Sequence, residues 1–579
     1  MSQFEPALAN IAYALKYVGG VSDLKTGDSA EPIHDILMQA ARFAKGVLAP
    51  LDAVGDREGC VFDSGSVRTP PGFREAYRKY VDAGWSTLQF RKEMGGPGVP
   101  TSVAVAVAEI FNAANMSLTM GLQAAAGGAE LVSRFGTPDQ KERYLPHIVN
   151  GRWTVTMMMT EPQAGSDMSL IRTRAVSDGD GYRIFGRKQF ITFGDQDLSD
   201  NIVHLILAKT DAPGNPISLF ITTKTLLNPD GTPGELNDIQ CTGIENKMGL
   251  HGSPTASLVL GEKVGAYAEL LGTVGQGLQQ MFVLMNRARI NVGVFGVASA
   301  ERARQAAGLY ALERVQGKDP SRKPVPIAHH PDVQRMLLSM RSRTEAARNL
   351  AYYAASLMDI AGDQENAGSI AAQSRLELLT PIVKTWCTES GFAVSSDGVQ
   401  IFGGMGYIVE CEASQYFRDA RIHMIYEGTT GIQANDFLTR KIIRDKGAVA
   451  LPLIREMQLS LDELQNDDTV QFEAANELRK ALATLIELTD YAISRSPQDL
   501  PSLQAWSVPY LLFFGEVVAG WLTLRAFSEF SRDKVRDADM SKRLGRSLLF
   551  LVSHMLPASE AAARSMTRDA TPILDEIPG

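Results

Sequence analysis

Tyr426-Glu427-Gly428-Thr429-Thr430-Gly431-Ile432-Gln433-Ala434 sets a carboxylate between an aromatic ring and a glycine, just ahead of an apolar stretch. It decides the fold only together with a second segment far upstream, Met157-Met158-Met159-Thr160-Glu161-Pro162-Gln163-Ala164-Gly165-Ser166-Asp167, an alternating run that ends in a Pro/Gly/Ser/Asp turn. A base and a polar loop so distant along the chain make one site only in a fold that brings them together.

The bulk composition narrows what such a site can serve. At 579 residues the chain exceeds one core and predicts about three to five domains or subdomains. A net charge of -9, with no run of five or more Lys/Arg, argues against a nucleic-acid surface. The four cysteines, Cys60, Cys241, Cys387 and Cys411, have no CxxC spacing and fit reduced thiols, so a cytoplasmic setting is expected. The eight histidines include no HExxH pattern, and no metal site is expected. Met1-Ser2-Gln3-Phe4-Glu5-Pro6 lacks the basic start and apolar core of a signal peptide. Glu516 and Arg525 cut the most apolar stretch, Leu511 to Phe527, which therefore predicts a buried helix and no transmembrane segment.

From about residue 33 to 150 the pattern is helical. Thr137-Pro138-Asp139-Gln140 predicts a helix start with a capping box. Val103 to Ala108 alternates like a strand, but its Ala-rich continuation favours a buried helix. The texture changes at Trp153. Short apolar or alternating runs at 153–160, 182–192, 202–210, 217–223 and 256–260 alternate with turns such as Asp211-Ala212-Pro213-Gly214 and Pro229-Asp230-Gly231, the pattern of an antiparallel meander or barrel. After Gly277 the helical period returns, with Val333, Met336, Leu337 and Met340 on one face. Leu478, Leu482, Leu485, Ile486 and Ile493 form another stripe, followed by helices over Leu511–Phe527 and Leu544–Met555.

This order, with MTEPQAGSD, KQFIT, KMGLHGSPT, NRARINVG, ALERVQG, QIFGGMGY and YEGTTGIQ in sequence, resembles the acyl-CoA dehydrogenases over roughly residues 40 to 445. The length and added ends look like the longer subfamily that includes 3-methylmercaptopropionyl-CoA dehydrogenases. The resemblance implies a mainly α fold with a central antiparallel β domain: helical bundle, β-barrel-like domain, four-helix bundle and an extra C-terminal helical bundle. The expected segments are an N-terminal extension 1–40, a helical domain 41–155, a β domain 156–272, a helical bundle carrying the base 273–445 and an added helical domain 446–579. A homodimer is implied.

The family's reaction removes an α-proton and a β-hydride from an acyl thioester. Such a proton is a very weak acid, so the base needs enolate stabilisation, and a cofactor must take the hydride. FAD is the implied cofactor, with electron-transfer flavoprotein receiving the electrons. Glu427 carries over as the base, flanked by Tyr426 and Gly428 on the substrate side. Glycine there removes a Cβ that would crowd a ligand, and desolvation would raise the glutamate toward neutrality. Met157, Met159, Thr160, Phe190, Ile191 and Thr192 align with residues around the isoalloxazine ring; Phe190 stands where many relatives have Trp, which loses the indole donor. Arg314 and Gln316 of ALERVQG, Gln400 and Gly404 of QIFGG, and Thr429 align with further FAD contacts, some reached from a neighbouring subunit. Ser166 and Arg289 align with contacts to the CoA moiety. Asn286 and Gly431 depart from the Asp and Gln of many members, leaving those two contacts open.

Taken singly, each residue has a plainer reading: an exposed Glu at a helix start, a core strand ending in Thr, a Ser turn, a surface Arg. No GxGxxG follows a strand and opens a helix, so a Rossmann site is not expected. An acyl-CoA oxidase using oxygen is the nearest alternative, and a DNA-associated flavoprotein of the same fold is the alternative of another class. Met116, Met120, Met281, Phe282 and Met285 could line an acyl pocket or fill a core.

Overall fold

Trp153 begins a series of strands that the alternating runs predict, joined in one eight-stranded sheet. In this computed structural model the described residues are 4–21, 32–228, 231–363, 365–464, 468–495, 499–533, 537–568 and 570–574. Met1, Ser2 and Gln3 of the leader reading and Pro229 and Asp230 of one turn lie outside them. The chain divides into two compact units, one of residues 42–100 and 114–288, the other of 1–41, 101–113 and 289–579.

The first unit carries the sheet. Its strands are β1 Trp153–Met158, β2 Arg174–Asp178, β3 Gly181–Thr192, β4 Asn201–Thr210, β5 Ile217–Thr223, β6 Ile239–Ile244, β7 Thr255–Leu260 and β8 Ala266–Leu270. The order is β6-β7-β3-β8-β5-β4-β1, and β2 pairs with both β3 and β4. Following β3 to β8, β5, β4, β2 and back to β3 closes a ring, which gives the expected barrel. Most neighbouring strands pair antiparallel, as expected, with two exceptions. β1 and β2 each pair with β4 in parallel. Parallel partners need a long crossover, and the β2–β3 hairpin with its flanking loops supplies it between β1 and β4.

Strand β4 is buried along almost its whole length, which its apolar run, broken only by His204 between Ile202 and Ala208, anticipates. Leu205 and Leu207 enter one core cluster with Val155 and Leu219, whereas Ile206 and Ala208 enter another with Met158, Ile184 and Phe220. The strands not anticipated have weaker signals; in Arg174–Asp178 only Ala175 is fully buried. A small hairpin, Val61–Asp63 with Ser66–Arg68, interrupts the region read as all-helical. Helices α1 Ala124–Phe135 and α2 Pro138–Val149 complete this unit's core. The capping box at α2 is present: Thr137 accepts from Gln140 N at 3.2 Å, and Gln140 returns to Thr137 N at 3.0 Å. Met281 and Met116 are buried, Met281 within the core cluster of this unit.

The second unit is helical, built on α3 Gly277–Glu313 (from Arg289 onward), α4 Pro331–Gly362, α5 Ser369–Phe402, α6 Thr430–Asp436, α7 Thr469–Ser494 and α8 Ser507–Arg532. A hairpin not anticipated, Val315–Lys318 with Pro324–Pro326, follows α3. Val103 to Ala108 is indeed helical, within Thr101–Ala114. Met336 and Met340 are buried in one cluster, with Val333 and Leu337 packed against it. Helices α3 and α5 cross at glycines: a Cβ on Gly391 would lie 2.5 Å from the Gly296 carbonyl oxygen. Arg348 on α4 is buried between Glu109 and Glu301, at 2.7 and 2.8 Å, while the Tyr352 hydroxyl donates to Glu109 at 2.9 Å. Leu478, Leu482 and Leu485 are buried as the stripe on α7 predicts. Helix α8 is long and apolar enough to cross a membrane, yet 83% of its most apolar window is buried in protein, the pattern of a core helix.

Candidate active site

Glu427 sits in a bend between the short helical turn Arg421–Met424 and α6. Its φ is 55°, followed by Gly428 at 91°. For a non-glycine residue the left-handed region costs about 1–3 kcal/mol, so surrounding bonds must hold it there. Three are visible. Gln433 Nε2 donates to the Glu427 carbonyl at 3.0 Å, Arg289 Nε approaches the same oxygen at 3.3 Å, and Lys384 Nζ donates to the Gly428 carbonyl at 2.8 Å. Glycine suits position 428 by its φ of 91°, and a Cβ there would lie 2.4 Å from Gln433 Nε2, so that amide would have to leave its place.

The sequence pattern therefore brings Tyr426, Glu427, Gly428 and Arg289 together, and the structure adds Lys384, Gln433 and His423, which sequence reasoning passed over. The signal for Lys384 is a single cation inside the apolar run Leu378 to Cys387. Glu427 is half-buried. Burial pushes its carboxyl above the ordinary range, and the cations Arg289 and Lys384 offset only part of that rise. Burial in turn pulls Lys384 down to about 8, against the opposing pull of Glu427 and Glu389. The Tyr426 hydroxyl lies 3.0 Å from His423 Nδ1, and His423 Nε2 is 3.4 Å from Ser299 Oγ. Burial holds His423 at about 3, so it is neutral and one ring nitrogen accepts. The tyrosine ring is thereby anchored beside the carboxylate. Such a carboxyl, raised toward neutrality and fixed in direction, can accept a proton from a weak carbon acid.

Thr429 lends its hydroxyl to the start of α6, accepting from Ile432 N at 3.2 Å. Elsewhere in this unit, Arg314, Gln316, Gln400 and Gly404 are all exposed. The Gln316 carbonyl accepts from His330 Nε2 at 2.7 Å. Tyr310, at the end of α3, stacks on Phe402 with ring centroids 4.2 Å apart, so the ALERVQG and QIFGG segments share one face of the unit. The large hydrophobics there stay exposed: Tyr407 86%, Val409 66% and Leu312 62%.

In the other unit the upstream segments converge. β1 is buried from Trp153 to Thr156 and again at Met158, Met157 between them stays half-buried, and Met159 and Thr160 continue half-buried beyond it. The Thr160 carbonyl accepts from Gln189 N at 3.0 Å, which sets Thr160 beside Phe190-Ile191-Thr192. The pairing of β3 with β7 steps from Ile191↔Ala256 to Lys188↔Leu258, so Gln189 and Phe190 together face one residue. This bulge turns Phe190 out, at φ 61° and 56% exposed, while Ile191 points into the core and can offer a ligand only its backbone. Half-buried methionines, peptide groups on a strand at the sheet edge and an outturned ring suit a flat aromatic ring system.

An ion pair missed in the sequence secures this surface. Lys188 Nζ donates to Glu161 Oε1 at 2.9 Å and to the carbonyls of Met159 and Leu207 at 3.0 and 2.8 Å. Burial would raise Glu161, but Lys188 and the donors at Thr173 and Arg172 outweigh it and bring the carboxyl down to about 2. Ser166 lies exposed in the following turn, next to Asp167, which accepts from Ser169 N at 3.0 Å.

Against known families, sequence models described as the acyl-CoA dehydrogenase N-terminal, middle and C-terminal domains match residues 31–152, 156–262 and 275–442. A model described as acetyl-CoA dehydrogenase C-terminal like matches 453–575. The chain is 42% identical to the 3-methylmercaptopropionyl-CoA dehydrogenase of Ruegeria pomeroyi, over 87% of its own length and 88% of that protein's. It is 29% identical to a solved structure described as the electron transferring flavoprotein of Acidaminococcus fermentans, with a TM-score of 0.59 over 73% of this chain and 100% of that one. The Caenorhabditis elegans ACDH-11 structure shares the fold, with a TM-score of 0.79, 19% identity, and 100% and 97% of the two chains covered.

Proposed function

Since the chain belongs to the acyl-CoA dehydrogenase family and is an oxidoreductase acting on acyl-CoA, we propose that it carries out FAD-dependent α,β-dehydrogenation of an acyl-CoA to the trans-2-enoyl-CoA. The observation that carries this reading is Glu427, half-buried with its carboxyl raised by burial, on a backbone held by Arg289, Gln433 and Lys384. Glu427 takes the α-proton; Tyr426, fixed by His423, packs beside the reacting carbons. FAD, when bound, supplies the hydride acceptor that no side chain can provide. Met157, Met159, Thr160, Phe190, Ile191 and Thr192 would hold its ring, and Arg314, Gln316, Gln400, Gly404 and Thr429 its remaining parts. Ser166 and Arg289 would meet the CoA moiety.

Electron-transfer flavoprotein is the proposed electron acceptor; the likeness to the Acidaminococcus structure supports a partner of that kind. A homodimer is supported by the exposed apolar side chains Leu312, Tyr407 and Val409, in and near the ALERVQG and QIFGG segments. We retain the five-segment division at residues 40, 155, 272 and 445, and a cytoplasmic setting in which the four free thiols stay reduced. The acyl group falls among methylthiopropionyl, medium straight-chain and aryl-propionyl classes, the first favoured by the relative from Ruegeria.

The test is anaerobic mixing of flavin-loaded protein with these acyl-CoAs, followed by turnover with ferrocenium. Bleaching of the flavin by at least one class, with the enoyl-CoA as product, is expected. No bleaching by any acyl-CoA refutes the reading, and a fast stoichiometric peroxide burst on admitting air assigns the protein as an oxidase.

A further inference from the structure

Lys384 is fully buried on α5, among Ile382, Val383, Trp386 and Cys387 of the same helix, which are also buried. An ammonium so placed must be offset, and Lys384 Nζ donates to the carbonyl of Gly428 at 2.8 Å. Gln433, 1% exposed on α6, donates to the preceding carbonyl, that of Glu427, at 3.0 Å. Two buried donors from different helices thus hold two consecutive carbonyls on either side of Gly428, whose φ is 91°, directly after Glu427, whose φ is 55°. The peptide is planar, so fixing both carbonyls fixes φ and ψ of Gly428, and the first of the two peptide planes contains the Glu427 Cα from which the carboxylate side chain departs. Gly428 belongs to the same arrangement, because Gln433 reaches past it where a Cβ would stand.

We infer that Lys384 and Gln433 are positioning residues for the base: by gripping the carbonyls of Gly428 and Glu427 they fix the strained backbone from which the Glu427 carboxylate is presented. The inference rests on the reading of Glu427 as that base. The two donors differ in one respect: Gln433 only positions, whereas Lys384 also brings charge. The charged and titratable groups bearing on Lys384 are Glu427, Glu389 and Arg289, with His423 neutral beside them. Those bearing on Glu427 are Arg289 and Lys384, and Tyr426 responds to it; Asp436 and Arg440 act on Arg289. Lys384 stays charged below about 8, so it opposes the burial-driven rise of Glu427 throughout the acid range.

The experiment compares wild type, Lys384→Met and Gln433→Met as flavin-loaded enzymes. It follows the anaerobic reduction of flavin by an acyl-CoA that reduces the wild type, as a function of pH. If no acyl-CoA reduces the wild type, the reading of the site fails and this inference with it. Where the wild type is reduced, both variants are expected to slow by about 10²-fold at saturating substrate, the scale of a misplaced reacting group, with substrate affinity retained. Only Lys384→Met should also move the acid limb of the profile to higher pH, because the lost cation had held the base down. Unchanged rates in both variants overturn the inference, and so does a slowed Lys384→Met with an unmoved acid limb, which marks the lysine as a packing group. If Lys384→Met does not retain flavin, Gln433→Met decides alone: a loss near that size at constant affinity supports the inference, and a wild-type rate overturns it.

Discussion

Replacing Lys188 with methionine removes three bonds at once from the interior of the barrel unit: those to Glu161, to the Met159 carbonyl and to the Leu207 carbonyl. Both members of the ion pair are buried, with side-chain exposures of 0% and 3%. Stripping one partner from a buried pair costs about 3–5 kcal/mol, because the other is left charged without compensation. Here Glu161 keeps the N–H groups of Arg172 and Thr173, at 2.7 and 3.1 Å, and the amide of Gln163 at 2.6 Å, which places the cost near the lower end, about 3 kcal/mol. The double variant Lys188→Met/Glu161→Gln restores neutrality and should recover about 1–3 kcal/mol relative to additivity. Glu161 ionises at about 2 in the folded protein, below its unfolded value. Its contribution is therefore complete above the unfolded value and lost as pH falls through the folded one; wild type should lose it toward acid, and the double variant should not. The assay is thermal unfolding of flavin-loaded protein across pH, read by flavin fluorescence and far-UV ellipticity. Because the pair secures Met159, flavin should be released earlier than secondary structure in the single variant. An unchanged midpoint in Lys188→Met, or a double variant as unstable as the sum of the singles, refutes the reasoning.

Gly391→Ala would set a methyl group against the Gly296 carbonyl and should cost about 1–3 kcal/mol, seen as a lowered melting temperature. Thr137→Ala removes the cap of α2 and should cost about 1 kcal/mol in the same measurement. Glu345 is held above the ordinary carboxylate range by burial, despite Arg341. A folded value above the unfolded one gives stability that is full below the unfolded value and lost as pH rises through the folded one. Melting temperatures of Glu345→Gln should therefore fall less than those of wild type between acid and neutral pH. A parallel pH dependence in the two proteins would exclude Glu345 as its source.

Where periodicity and turn chemistry act locally, the sequence was legible. The cap at Thr137, the helix over Val103 to Ala108, the stripe on α7 and the strands of the middle region all follow from patterns a few residues long. The parallel pairings of β4 were not legible, since a strand buried on both faces does not tell which neighbours it takes. Phe190 illustrates a second limit: the bulge that turns it outward depends on register with β7, and alternation alone gives no sign of it. At the candidate site, Glu427, Tyr426, Gly428 and Arg289 stood out through their motifs. Lys384, a lone cation in an apolar run, and Lys188, between Arg187 and Gln189, did not, because a lysine reads as a surface charge until its partners are seen. Lys188 had one usable sign, since it has the inward parity of Ile184 on the same strand.

The central claim is that one carboxylate does the proton abstraction, and Glu427→Gln tests it most directly. The substitution keeps size and neutralises charge, leaving Arg289, Gln433 and Lys384 their carbonyl partners. Mixed anaerobically with an acyl-CoA that bleaches the wild type, this variant should bind flavin normally, bind the ligand and remain yellow. Bleaching at a rate near that of the wild type would contradict the account.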